Sequence, residues 1–88
     1  MNHKRLLNAL AKVGATVSNP NPSNPRRFKA VGKNGNVVVW YAQPVWNKPE
    51  ELEASSVHSP HPDTDAMQDL FMDTFYDTIK AVKADLSR

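Results

Sequence analysis

Two histidines and two aspartates in the second half of the chain have the atom types that bind divalent metal ions. They are His58, His61, Asp63 and Asp65, in the segment HSPHPDTD. Pro60 and Pro62 lie among them and predict a loop, so this segment does not hold the four side chains in one fixed geometry. We therefore predict no metal site here and no metal-dependent hydrolysis.

Nucleophilic catalysis has no matching residue pattern. The chain contains no cysteine, and none of its serines lies in a GxSxG-type turn. Its three glycines form neither a GxGxxG motif nor a phosphate-binding P-loop. We therefore predict that the protein is not an enzyme and uses no cofactor. The lack of cysteine also excludes disulfides and suits a reducing cytoplasm.

Four aspartates near the end of the sequence are spaced four residues apart. They are Asp65, Asp69, Asp73 and Asp77. On a helix, a step of four residues turns the side chain by about 40°, so the four acids would form one ridge. Like charges at this spacing destabilise a helix by about 0.2–0.5 kcal/mol per pair, which favours a functional explanation. We predict that the last three, with Tyr76, contact a protein partner; the alternative is a solvated face balanced by cations elsewhere in the chain.

Cations and aromatic side chains alternate in the first half of the chain and could bind nucleic acid through phosphate contacts and base stacking. The candidate residues are Arg26, Arg27, Lys29, Lys33 and Trp46. The competing interpretation places the aromatics in the core and lets the cations keep an edge strand soluble. Trp46 follows Pro44 in a predicted loop and is harder to assign to the core. Nucleic-acid binding through this basic hairpin is therefore the alternative function.

The net charge of +2 conceals a strong asymmetry along the chain. Residues 1–48 carry eight cations and no acid, which gives +8, and residues 49–88 carry nine acids and three cations, which gives −6. Such asymmetry is typical of proteins with charged partners. The sequence leaves open whether the two halves neutralise each other within one molecule.

A short helix is predicted over residues 3–13. Its apolar residues recur at helical spacing: Leu6, Leu7, Leu10 and Val13. Asn2 can act as the N-cap, and Gly14 occupies the position after the helix where glycine is preferred.

A β-hairpin is predicted from residues 26–31 and 37–43, since the turn between them contains an Asn-Gly pair. The second strand is apolar on both faces and should be central, with Pro44 at its end. Residues 50–57 have two interpretations, a third strand with Leu52 and Ala54 facing inward or a helix, and we favour the strand.

The last predicted element is a helix over residues 64–86. Its apolar stripe consists of Met67, Phe71, Phe75, Ile79, Val82 and Leu86. The predicted order is therefore α-β-β-β-α, an α+β fold with a three-stranded antiparallel sheet and both helices packed on one face.

The chain is expected to form one domain over residues 1–88, with an Asn/Pro-rich loop at 18–25 and a Pro-rich loop at 58–63. We find no signal peptide, because the longest apolar run near the N-terminus is too short. No stretch approaches the length of a membrane span. These observations predict a soluble, cytoplasmic protein with no membrane partner.

The α-β-β-β-α order resembles the double-stranded-RNA-binding domain. That family contacts phosphates through a lysine cluster at the start of its last helix. This chain has Asp63, Asp65 and Asp69 there, so the sign of the main contact is reversed and the resemblance covers topology alone.

A second resemblance covers most of the chain. The stretches KRLLNALAKVGATV and DAMQDLFMDTFYDTIKAVKADL, with a basic hairpin between them, look like small α+β domains of phages and mobile elements, of the type associated with large polyvalent proteins. The segment Phe75–Lys80 is the most recognisable part. The resemblance implies a phage or prophage accessory protein in the host cytoplasm. We predict a non-enzymatic protein-interaction module that binds a host or phage protein through the acidic helix face.

Overall fold

The computed structural model describes residues 1–19, 23–60 and 66–87. Its elements are α1 (His3–Lys12), β1 (Thr16–Ser18), β2 (Arg27–Val31), β3 (Val37–Val45), β4 (Lys48–Pro60), β5 (Met67–Asp69) and α2 (Phe75–Leu86). The strands form one antiparallel sheet in the order β1-β2-β3-β4-β5. The α+β class is confirmed. The expectation of three strands is wrong, because β1 and β5 have three residues each and are too short to give a periodic signal.

The first helix begins and ends where its capping residues predict. The side chain of Asn2 accepts a hydrogen bond from the Arg5 amide at 3.0 Å, which satisfies one of the free donors of the first turn. At the other end Gly14 has a φ of +73°, a left-handed conformation that glycine adopts without steric penalty. Leu6 and Leu10 are fully buried against the sheet.

The predicted hairpin is formed by β2 and β3. The Gly32 amide donates to the Asn36 carbonyl at 2.8 Å, and Gly35 closes the turn with a φ of +87°. β3 lies at the centre of the sheet, as predicted. Phe28 pairs with Trp40 across the hairpin, so both side chains lie on the same face of the sheet.

β3 continues through Pro44 to Val45, so the expectation that this proline ends the strand is wrong. The Ala42 amide donates to the Arg26 carbonyl at 2.8 Å, and alternate residues of a strand turn their amides to the same side. The nitrogen of Pro44 therefore faces β2, whose pairing with β3 has already ended at Tyr41. The missing N–H breaks no ladder bond there.

β4 confirms the strand interpretation of residues 50–57. Ser56 has a φ of 54° and marks a β-bulge, at which β4 has one residue more than β3. The extra residue places Val57 on the same inner face as Ala54, and both are fully buried. Leu52 is 39% exposed despite its predicted inward direction, because it pairs with β3 close to the end of the sheet.

The predicted starts of both loops lie within strands. Ser18 belongs to β1, and residues 58–60 belong to β4, so the loop boundaries at 18 and 58 are wrong. Residues 20–22 and 61–63, which make up much of the two predicted loops, lie outside the described residues.

The last helix is shorter than the predicted range 64–86. Residues 67–69 form β5 instead, and α2 begins only after Thr74, whose side-chain oxygen accepts from the Asp77 amide at 3.1 Å as the N-cap. Met67 and Phe71 are 53% and 42% exposed, so the first part of the predicted apolar stripe is wrong. The second part, from Ile79 onward, is buried in the core.

Both helices pack on the same face of the sheet and enclose one core. Its buried apolar residues are Leu6, Leu10, Ala30, Val38, Trp40, Ala42, Ala54, Val57, Leu70, Ile79, Val82 and Leu86. His3 also lies in this core, where its Nε2 accepts a hydrogen bond from Trp40 Nε1–H at 3.0 Å. Neither helix of the described residues is long and apolar enough to cross a membrane.

Candidate functional site

A groove of about 760 Å³ runs between α1 and α2 on the side away from the sheet. We call it the basic groove. It is lined by Arg5, Asn8, Ala9 and Lys12 of α1, and by Thr74, Phe75, Tyr76, Ile79, Lys80 and Lys83 at and within α2. On each helix these positions recur at intervals of three, four and seven residues, so each helix contributes one continuous stripe.

The groove exists because the two helices run side by side in the same direction. Their first turns meet where the Arg5 guanidinium lies over the Phe75 ring. Their C-terminal ends both lie beside the β2–β3 turn, since Gly32 approaches the Leu86 carbonyl and Lys33 covers Gly14. Basic side chains near both C-termini are favoured by the negative end of the helix dipole.

Four cations line the basic groove, and none of the described residues that line it is acidic. They are Arg5, Lys12, Lys80 and Lys83. Between described residues, the only ion pair within 4 Å joins the N-terminal amine to Glu53 at 3.7 Å. No described carboxylate therefore forms an ion pair with a cation of the groove.

The floor of the groove is apolar. Ile79 is 7% exposed, and Phe75 is half-buried with the Arg5 guanidinium 3.9 Å from its ring centroid, in a cation–π contact. Ala9 lies on the α1 side. Tyr76 is 73% exposed and lines the groove near its start. The arrangement can hold an anionic ligand that also buries apolar surface.

The acidic residues predicted to bind a partner do not share a helix face, so that premise is wrong. Asp69 lies on β5, where its carboxylate accepts from the Phe71 amide at 2.9 Å. Asp73 is exposed before α2, and Asp77 lies in the first turn of α2 next to Tyr76. Asp65, the fourth acid of the predicted ridge, lies outside the described residues. The role of these side chains in partner binding stays a prediction.

The residues predicted to bind nucleic acid are divided among three places. Arg27 and Lys29 pair with Tyr41 and Val39, on the face of the sheet that the helices do not cover, and Arg26 precedes them at the strand's start. Lys33 lies at the opposite end of the hairpin, against the end of α1.

Trp46 lies at the turn between β3 and β4 and is 96% exposed. We call residues 43–52 the arm, because they form the end of the β3–β4 hairpin. Glu50 and Glu51 lie on the β4 side of this arm. Trp46 therefore lies outside the core and away from Lys33.

Of the four potential metal ligands in the segment HSPHPDTD, only His58 is among the described residues. His58 lies on the outer face of β4, where its Nδ1 is 2.6 Å from the Ser56 carbonyl. His61, Asp63 and Asp65 lie outside the described residues. Within residues 1–19, 23–60 and 66–87, no group of three His, Cys, Asp or Glu side chains could hold a metal ion.

The basic groove was not predicted from the sequence. Its signal is the seven-residue interval between Arg5 and Lys12, combined with the three-residue interval between Lys80 and Lys83. Each pair alone is typical of a solvated helix face. Only the parallel packing of the two helices brings the pairs together.

Comparisons with known proteins found no relative of this chain. No protein-family model, no curated protein and no solved structure matches the chain. The resemblance of Phe75–Lys80 to phage domains therefore stays a prediction, and function has to be inferred from the geometry.

Proposed function

We propose that this chain is a non-enzymatic protein-interaction module that binds an acidic polypeptide in the basic groove. The observation that carries the proposal is the combination of four cations, none of them in an ion pair with a described carboxylate, and apolar surface between two parallel helices. The binding surface is thus the basic groove instead of an acidic helix face. The setting implied by the phage resemblance, an accessory protein acting on a host or phage protein in the host cytoplasm, is part of this proposal.

The floor of the groove favours a polypeptide over a nucleic acid. Aliphatic side chains of an amphipathic helix can bury apolar surface on Ala9 and Tyr76 beside the small exposed part of Ile79, while their neighbouring carboxylates approach the cations. The ring of Phe75 packs against the core, and the Arg5 guanidinium covers it at 3.9 Å, so it is not free for a base to stack on it.

The test uses a synthetic helical peptide with leucines at i, i+3, i+4 and i+7 and glutamates elsewhere. Its binding is measured by isothermal titration calorimetry, and amide chemical-shift changes locate it on the protein. K80E/K83E removes two attractions and adds two repulsions of about 0.2–1 kcal/mol each, so affinity should fall by at least about fourfold.

The matched control is R27E/K29E, which changes the net charge equally on the opposite face of the sheet. This variant should bind the peptide within about twofold of wild type, since its charges lie far from the groove. Equal losses in the two variants would show an effect of net charge alone, and would contradict a site in the groove.

A second candidate function is single-stranded nucleic-acid binding on the uncovered face of the sheet. Arg27 and Lys29 project from this face, and the Arg27 guanidinium lies 6.0 Å from the ring of Tyr41, which is 40% exposed. Cations beside an aromatic ring on a sheet suit phosphate contact with base stacking. A fluorescent single-stranded oligonucleotide should then lose affinity with R27E/K29E and keep it with K80E/K83E, with binding that weakens steeply as salt rises.

A further inference from the structure

The arm carries a large apolar side chain in solvent. Trp46 lies at the tip of the arm and is 96% exposed. The other residues from 44 to 52 are exposed too, except for the half-buried Val45. Beyond the last β2–β3 pair at Tyr41, this part of the hairpin has no third strand beside it among the described residues. Tryptophan side chains bury about 150–250 Å² when they dock, and they are enriched among the residues that dominate binding interfaces.

The charges beside Trp46 restrict what the arm can bind. Glu50 and Glu51 lie on the β4 side of the arm, and Lys48 is the only cation of the arm. A phosphate backbone or an anionic membrane surface would be repelled by these carboxylates. The partner that fits has an apolar recess for the indole and a cationic rim for the glutamates.

The basic groove has this chemistry, with apolar surface from Ala9, Tyr76 and the small exposed part of Ile79, and with four cations around it. Within one molecule Trp46 does not line this groove. Glu50, Glu51 and Leu52 line a separate, smaller groove beside the start of α1. The arm and the basic groove of one chain are therefore separate surfaces, and two copies can satisfy each other.

We propose that the arm of one copy binds the basic groove of a second copy, with Trp46 in the apolar recess and the glutamates of the arm beside the cations of the groove. This proposal rests on the proposed function, because it names the acidic polypeptide as the arm of another copy. Reciprocal exchange of the arms gives a closed dimer, whereas one-way insertion would give an open chain of molecules.

The test is a charge exchange between arm and groove, measured by sedimentation equilibrium up to about 1 mM protein, the Kd range of a weak interface. Wild type should associate with rising concentration. E50K/E51K, K80E/K83E and W46A should each stay monomeric over the same range. An equimolar mixture of the two charge variants should associate again, because each reversed surface then meets an opposite charge.

Two results would overturn this inference. One is a wild type that stays monomeric throughout; the other is association that persists unchanged in W46A and in both charge variants. The peptide titration separates these failures from failure of the groove. If wild type stays monomeric but still binds the acidic peptide, only the proposed self-association is refuted. If wild type neither associates nor binds the peptide, the proposed function is refuted as well.

Discussion

His3 makes the stability of the core depend on pH. Its ring is 4% exposed, and its Nε2 accepts from Trp40 Nε1–H at 3.0 Å, so the ring is neutral with its proton on Nδ1. Phe28 lies beside it at 4.8 Å between ring centroids. Burial lowers the pKa of His3 below its ordinary value of 6.5, because desolvation penalises the charged imidazolium.

Acid should therefore destabilise the fold through this side chain. Above pH 6.5 the ring is neutral in both the folded and the unfolded chain, and the stabilisation is fully present. Below 6.5 the unfolded chain binds a proton that the folded chain does not, and the loss is complete once the pH has passed the lowered folded-state pKa. One pH unit below 6.5 the free energy of unfolding should fall by at most about 1.4 kcal/mol, or roughly 6–11 °C in Tm.

The assay is thermal unfolding followed by circular dichroism between about pH 7.5 and about pH 5.5, for wild type and His3→Gln. Glutamine keeps an oxygen that can accept from Trp40 but does not titrate, and the other histidines are present in both proteins, so their contributions cancel. Wild type should lose more Tm than the variant over this interval. Parallel pH profiles would refute the role assigned to His3, whatever the absolute stability of the variant.

Three further substitutions test the backbone and the helix start. Ser56→Val should lower the free energy of unfolding by about 1–2 kcal/mol, whereas Ser56→Gly should not, because a β-branched residue disfavours a φ of 54°; equal urea midpoints would contradict the bulge. Thr78→Val should cost about 1–3 kcal/mol, because Thr78 Oγ1 accepts from the Met72 amide at 2.9 Å, and exchange of that amide should accelerate. Gly14→Ala should lower Tm by about 4–8 °C, since a φ of +73° disfavours a residue with a Cβ; Lys33→Ala should not recover the loss, because the Lys33 side chain near that Cβ is flexible and can move aside, and full recovery would contradict the backbone cause.

The elements with strong local signals were predicted correctly. Asn2 and Gly14 define both ends of α1 by side-chain capping and by a left-handed backbone, and both effects depend on neighbouring residues alone. The Asn-Gly turn defined the β2–β3 hairpin in the same way. The central position of β3 followed from its apolar residues on both faces.

The prediction of a helix over residues 64–86 was wrong because apolar spacing alone does not require a helical backbone. Asp69 and Asp73 continue the four-residue interval, but Gln68 turns inward on β5 and donates to Ser59 Oγ at 3.0 Å. That contact is with a residue of a different strand and leaves no local trace. The local evidence against the longer helix was Thr74 with Asp77 three positions later, a capping pattern in the middle of the apolar stripe.

The basic groove could not be predicted because it depends on the relative direction of two helices far apart in sequence. The contacts that align them are tertiary: Arg5 with Phe75 at one end, and Asn36 Nδ2 donating to the Asp85 carbonyl at 2.8 Å near the other. The sequence did indicate a basic first half, but the protein-binding role was predicted for the acidic residues, and the hairpin cations, which the fold separates, were the alternative for nucleic acid.

Pro44 and Pro49 limit how the arm can associate. Each strand of the arm contains one residue with no amide donor, so neither can offer an uninterrupted row of hydrogen bonds to an incoming strand. The two edges of the sheet, β1 and β5, are three residues long and give little template for such pairing. We therefore expect contacts between copies to form through side chains, with discrete assemblies in place of fibrils built by main-chain pairing.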